Sequence, residues 1–311
     1  MIRDLRRADG PEAYRMLKGN FPEEEALLGT DPEGFMRVIR RVYRWDTQFV
    51  VRLAALFGHP VYRFLVVEAD GHIVATTLLS FPERSGYVST VSVDSAYRRR
   101  GYARALLERA REASAKAQKR YIALDVLSQN TPARTLYERI GYRPLREVSM
   151  MTREPAPPPA LGPAASVVRP YHKRDAGALV EIARRATPAE VEEVLPIRAS
   201  YLAPSSFIAR ALESESAAWV VDRGQGPVAY LAATRSPLGS AGHVSAPIVD
   251  AAADAESVAG LVGTALGWSL VAGPRRIVAQ VPLANERGRA ALLAGGFRDA
   301  LSLWTLYRPV T

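Results

Sequence analysis

Two stretches of thirteen residues, NTPARTLYERIGY (Asn130 to Tyr142) and NERGRAALLAGGF (Asn285 to Phe297), set the tightest limit on what this chain can fold into. Placing Asn130 on Asn285 brings Leu136 onto Ala291, Tyr137 onto Leu292, Gly141 onto Gly296 and Tyr142 onto Phe297. The same order of patterns precedes each stretch. In the first half, apolar alternation predicts strands at Tyr62 to Asp70, His72 to Phe81, Tyr87 to Asp94 and Tyr121 to Leu127, with a hairpin turn at Ala69-Asp70-Gly71. Between the last two strands, Ala103, Leu106, Leu107, Ala110, Ala113 and Ala117 recur at helical spacing. In the second half, AAWVVDR, the turn Gly224-Gln225-Gly226, VAYLAATR, HVSAPIVD, an alanine-rich helix to Ala272 and RIVAQVP follow the same plan. The chain therefore reads as two copies of one fold, diverged in chemistry. The proline- and alanine-rich run REPAPPPALGPAA reads as a semi-rigid linker. It divides the chain into residues 1–153, a linker at 154–166 and residues 167–311.

The helix of each repeated stretch should start at a cap and end at a glycine. In the first, Thr131 can cap, Pro132 suits the first helical position and Gly141 can close the end. Its apolar stripe is Ala133, Leu136, Tyr137 and Ile140. Upstream, Pro32 to Phe57 reads as one or two helices rich in arginine and aromatic residues.

Composition excludes several chemistries. With no cysteine there is no disulfide, thiolate metal site or cysteine nucleophile, and His59, His72, His172 and His243 lack ligand spacing, so no metal is expected. No apolar run is long enough to span a bilayer, and the N-terminus lacks the apolar stretch of a signal peptide, so a cytoplasmic protein with no membrane partner is expected. The net charge of +9 is uneven: residues 1–153 hold 26 Lys+Arg against 18 Asp+Glu. Such a field suits a polyanion, which nucleic acid, a phosphorylated cofactor or an acidic substrate would each satisfy.

The sequence YRRRGYARALL, Tyr97 to Leu107, narrows that choice. A helix start leaves backbone N–H groups unpaired and carries partial positive charge, so a strand that turns through glycine into a helix forms an anion cradle. Arg98, Arg99 and Arg100 surround it with charge-assisted donors, while Gly101 and Ala103 leave room for a ligand to approach the backbone. The combination points to a phosphate or pyrophosphate.

Arg98-x-x-Gly101-x-Ala103 follows VSTVSVD and precedes Asn130-x-x-Ala133-x-x-Leu136-Tyr137-Glu138-x-x-Gly141-Tyr142. In this order and context the two motifs resemble the GCN5-related N-acetyltransferase (GNAT) superfamily, whose acetyl-CoA signature is Arg/Gln-x-x-Gly-x-Gly/Ala. The resemblance spans roughly Ile2 to Arg153. It implies an α/β (α+β) fold class of two tandem GNAT-like domains, each a mixed, mostly antiparallel sheet flanked by helices. It further implies acetyl-CoA as co-substrate, with the backbone amides of Arg99, Arg100, Gly101, Tyr102, Ala103 and Arg104 on its pyrophosphate. Val91 and Val93 match positions that pair with the pantetheine arm, Asn130 a residue near that arm, and Tyr137 the general acid for the departing thiolate. Asp125 matches a catalytic carboxylate of some members, although bulk water serves others and an ordinary strand-end aspartate reads equally well. Other members carry a glutamate where this chain has Tyr87, which leaves the base open.

The corresponding turn of the second half, VDAAADAESVAG, lacks the signature and offers Asp250, Asp254 and Glu256 where a pyrophosphate needs positive charge. Leu292 stands in place of the tyrosine. That half is expected to keep the fold without binding acetyl-CoA, serving packing, substrate-site shaping or homodimer formation. The reading is an N-acetyltransferase acting on a primary amine of a small molecule, peptide or protein by direct attack, since no cysteine can hold an acyl group. A non-catalytic acyl-CoA-binding or interaction module is the alternative. Nucleic-acid binding lacks a reading motif and a stacking platform. The acceptor stays open; Glu23 to Glu25, Asp31 and Glu33 could attract a cationic amine, and Tyr43, Trp45 and Phe49 could wall its pocket.

Overall fold

The computed structural model describes residues 1–17, 20, 62–158, 167–202, 215–235, 241–271 and 276–311. The helices expected within Pro32 to Phe57, the acceptor candidates from Glu23 to Phe49 and residues 159–166 of the linker lie outside these. In the first half, β1 (Ile2–Asp4) and α1 (Gly10–Leu17) precede the hairpin of β2 (Tyr62–Ala69) and β3 (His72–Ser80). Then come β4 (Ser85–Val93), α2 (Tyr102–Lys116), β5 (Tyr121–Leu127), α3 (Thr131–Arg139) and β6 (Arg143–Arg153). The second half holds β7 (Val168–Pro170), α4 (Ala176–Arg185), α5 (Ala189–Val194), β8 (Glu215–Asp222) and β9 (Pro227–Arg235). It continues through β10 (Gly242–Val244), β11 (Ile248–Val249), α6 (Ala255–Leu270), β12 (Ile277–Pro282), α7 (Glu286–Ala294) and β13 (Arg298–Pro309). No helix among the described residues is long and apolar enough to cross a membrane.

Two local expectations need correction. The cap of α3 is Asn130, whose Oδ1 accepts the Ala133 amide at 3.2 Å, so Thr131 opens the helix and Pro132 is its second residue. The run HVSAPIVD is two short strands, because Pro247 has no N–H to offer a ladder and β11 pairs only with β9.

The strands join in one mixed sheet of order β1-β2-β3-β4-β5-β13-β6-β12-β10-β9-β8-β7, with β11 beside β9. Only β4 with β5 and β10 with β12 run parallel; each pair is joined by a helical crossover, α2 or α6. The final strand of each half crosses to the other. β13 lies between β5 and β6, while β6 lies between β13 and β12. Both strands are thus bonded on two sides, and neither half leaves an open edge at the centre.

Alternation along the strands sorts the helices between the two faces. Leu65 and Val67 pack with Leu106 of α2, whereas Val66 packs with Ala13 and Met16 of α1 on the other face. Likewise α2 and α3 bury Leu107, Ala110 and Tyr137 against Ile122, Leu124 and Leu306, while Val194 at the end of α5 meets Ala123 and Tyr307 behind them. In the second half α6 and α7 cover Leu231, Ile277, Val281 and Met151. Met151 is a first-half residue fully buried in a second-half core, a direct consequence of the exchange.

Candidate active site

The candidate site begins where β4 and β5 part. Their pairing runs only from Ser85 with Tyr121 to Val88 with Leu124. On its other side β4 shifts register against β3 between Leu78 and Leu79, leaving Ser89 as the extra residue of a bulge. Beyond it, Thr90 to Val93 stay with β3 and leave β5, which opens a cleft between the two parallel strands. The Asp94 amide donates to the Val74 carbonyl at 2.9 Å, so by the two-residue alternation of an antiparallel ladder Val93 and Val91 turn their own backbone groups toward that cleft. The Val93 carbonyl accepts from Arg98 Nε at 3.3 Å.

At the head of the cleft Asp94 caps a short 3₁₀ turn, its side chain accepting from the Ala96 amide, and the chain then reverses through Arg99 at φ 66 and Gly101 at φ 85 into α2. An ideal Cβ at Gly101 would meet nothing within 4 Å, so its conformation, and not crowding, demands glycine. The amides of Arg99, Arg100, Gly101, Tyr102, Ala103 and Arg104 find no acceptor among the described residues, and the first bond of the helix is Ala105 N–H to the Gly101 carbonyl at 3.0 Å. Six consecutive bare amides therefore point outward from a helix start. Arg98, Arg99, Arg100 and Arg104 are exposed, and none forms an ion pair with a described residue. Arg98 reaches Asn20 Oδ1 at 2.8 Å, and Arg100 lies over the Tyr97 ring at 4.9 Å.

Tyr137 and Asp125 flank the cleft on opposite faces of the sheet. Tyr137 is 6% exposed in the cluster that Val91 joins, and burial pushes its hydroxyl up to about 12. Asp125 accepts a hydrogen bond from Thr305 Oγ1 at 2.7 Å, and Thr305 in turn accepts from Arg146 Nε at 3.3 Å. The Tyr87 hydroxyl lies against Asp125 and Thr305; burial first, then the adjacent carboxylate, push it well above its ordinary value, so it is a neutral group. The sequence marks Tyr87 only as standing where other members carry a glutamate, and Arg146 and Thr305 are not among its candidates for this cluster. No local pattern could reveal Thr305, which reaches Asp125 from 180 residues away through β13. Asn130 sits at the far lip, occupied with the α3 cap.

The second half repeats the cleft and shuts it. β10 and β12 pair only from Gly242 with Ile277 to Val244 with Ala279, and then part. Across the gap Asn285 Nδ2 donates to the Pro247 carbonyl at 2.8 Å. Gly288 of α7 permits this closure, since a Cβ there would stand 2.5 Å from Asn285 Nδ2 and 2.6 Å from the Pro247 oxygen. The start of α6 is also partly occupied: Asp254 accepts from Ser257 N–H at 3.0 Å, and in the turn before it Asp250 accepts from Ala252 N–H at 2.9 Å. These aspartates already pair with Arg223 and Arg185, at 2.6 and 2.5 Å.

Residues 25–142 match the model of the acetyltransferase (GNAT) family. Among solved structures, a GCN5-related N-acetyltransferase from Sphaerobacter thermophilus superposes with a TM-score of 0.66 at 16% identity, covering 100% of this chain and 95% of that one. A tandem GNAT protein from the clavulanic acid biosynthesis pathway gives 0.62 at 16% identity, over 100% and 98%. A GCN5-related N-acetyltransferase from Anabaena variabilis gives 0.51 at 12%, over 100% and 73%. No curated protein matches. This chain carries a match to the GNAT family over residues 25–142 and, along its whole length, has the fold of two GNAT-like units in tandem. The superfamily consists in general of acyl-CoA-dependent N-acetyltransferases.

Proposed function

We propose that residues 1–153 form an acetyl-CoA-dependent N-acetyltransferase domain that passes acetyl to a primary amine by direct attack in a ternary complex, and that residues 167–311 bind no acetyl-CoA. The run of six amides from Arg99 to Arg104 without an acceptor among the described residues, ringed by four arginines without a carboxylate partner among them, carries this reading. That donor set fits a diphosphate: fixed N–H groups at a helix N-terminus, no side chain on Gly101, and cations held at the rim. Val91 and the Val93 amide turn backbone groups toward the cleft for an extended amide-bearing arm, and the Val93 carbonyl already holds Arg98. When bound there, acetyl-CoA supplies an activated thioester.

The residues of the chain then divide the proton work. Tyr137, kept protonated by burial, donates toward the departing sulfur from the α2/α3 face. Asp125, oriented by Thr305, accepts the proton of the entering amine from the opposite face, so donor and acceptor do not compete for one position. Calorimetric titration with acetyl-CoA tests the reading. One site per chain, weakened by Gly101→Ala, is expected; two sites, or none, would overturn it. The acceptor is to be found by following CoA release over a panel of amines.

A further inference from the structure

A cavity of about 650 Å³, within the ~300–1,000 Å³ typical of small-molecule sites, opens on the sheet face that carries α4 and α5. Ile248 and Val249 of β11 and the turn from Pro282 to Asn285 form one side, so the cavity lies at the mouth of the second half's closed cleft. Ala183 of α4 and Val191 and Val194 of α5 form the roof. The first half supplies the end wall through Ser85, Tyr87 and Arg146.

One edge of the roof is pinned to strands β4, β5 and β13. Ser85 Oγ donates to the Val194 carbonyl at 2.5 Å, Tyr121 to Glu193 at 3.3 Å, and Tyr307 to Glu190 at 2.5 Å, while Arg84 pairs with Glu193.

The charges of the wall select the molecule. Glu83 faces Arg198 at 3.6 Å and Arg84 has Glu193, so both are neutralised. Glu147 accepts from Ser302 Oγ at 2.6 Å and, as the next residue along β6, points to the other side of the strand from Arg146. Arg146 alone among the lining cations has no carboxylate partner among the described residues, its one hydrogen bond being Nε to Thr305. Nearly all the remaining lining is aliphatic side chain and proline.

We propose that this cavity is a separate ligand site, built mainly by the second half, for a small monocarboxylate with an apolar body. The carboxylate meets the free Nη atoms of Arg146, and the body fills the space between α4, α5 and β11. The ligand would then stand two hydrogen bonds, through Arg146 and Thr305, from Asp125. The cavity thus adjoins the Asp125 cluster, and the test of its ligand needs no acetyl-CoA.

Titration calorimetry on the full chain with octanoate, 1-octanol and octylamine decides it. Octanoate is expected to bind at least tenfold tighter than the other two, and Arg146→Met to remove that advantage. Ala183→Phe, with folding checked by circular dichroism, is expected to weaken all three probes by filling the space. Should that variant not fold, the Arg146→Met comparison decides alone. No octanoate binding at millimolar concentration, octylamine binding as tightly as octanoate, or full octanoate affinity in Arg146→Met would each overturn the proposal.

Discussion

Gly101 and Gly71 make a controlled pair. Both have positive φ, 85 and 78, and an ideal Cβ at either would touch nothing within 4 Å. Alanine at each position therefore brings the same backbone strain, about 1 kcal/mol, and no steric clash. In a chain of this length that loss lowers Tm by roughly 2 °C, and the two variants should melt together. Their ligand behaviour should separate. Gly71 lies in the β2–β3 hairpin, whereas a methyl at Gly101 stands over the bare amides of Arg99 to Arg104 and holds an incoming diphosphate off at least one of them. An N–H bond to a charged oxygen contributes about 2 kcal/mol, so Gly101→Ala should raise the Kd for acetyl-CoA ~30-fold, with Gly71→Ala unchanged. Calorimetric titration and thermal melting of both proteins supply the four numbers. Equal Kd values would refute the cradle, and a larger melting loss for Gly101→Ala would show that strain had been misjudged.

Tyr137→Phe should lower kcat by roughly 10²-fold while acetyl-CoA binds as before. Because burial holds that hydroxyl at about 12, the wild-type kcat profile should show no alkaline fall from this group in the usual assay range; wild-type turnover in the variant would remove the acid role. Asp175 is 4% exposed and held below its ordinary value, first by its hydrogen bonds from Arg169 at 2.8 Å. A depressed carboxylate stabilises the fold above its unfolded pKa, and that contribution is lost as pH falls through the folded value. Arg169→Met should therefore destabilise by ~3 kcal/mol at neutral pH and recover part of the loss on mild acidification, where Asp175 can bind a proton. Urea unfolding at the two pH values reads the effect, and a loss independent of pH would contradict it. Gly288→Ala should cost about 1–3 kcal/mol by overpacking against Asn285 and Pro247 without creating a second acetyl-CoA site; stability equal to wild type would show that the closure is loose.

What the sequence disclosed and what it hid follow from the range of each interaction. The strands of the parallel pairs, the α2 stripe and the αL glycines rest on local periodicity or on backbone conformation, and the chain writes both within a dozen residues. The duplication was legible at its far end through Asn130 and Asn285, yet its near end escaped notice. Arg3 pairs with Asp9 at 2.6 Å and Arg169 with Asp175 at 2.8 Å, each aspartate also accepting from a backbone amide three residues earlier. Ile2-Arg3 and Asp9 thus repeat as Val168-Arg169 and Asp175, but β1 and β7 are too short to show alternation. The cap of α3 was misread because Asn and Thr are both good caps, and only the geometry distinguishes them. Thr305 and Arg146 were beyond any local reading, since the sheet order alone brings them to Asp125.

That sheet order also explains why a half with a closed cleft is retained. β13 gives the first half Thr305 for Asp125 and Leu306 for the core around Tyr137, so removing the second half strips the candidate site of an orienting hydroxyl and a wall. The exchange is reciprocal down to the ends of the strands. Arg153 closes β6 by donating to the Gly295 carbonyl at 3.0 Å, beside Gly296 at φ 87, where α7 ends. Near the end of β13, Arg308 lies beside Gly141 at φ 92, where α3 ends, and donates to Glu108 of α2 at 2.7 Å. Arg153 of the first half thus fastens the terminal turn of α7, and Arg308 of the second half lies against that of α3 while holding α2. A substitution in the closed half can then disturb the open cleft, because the strand that carries Thr305 to Asp125 is coded at the far end of the chain.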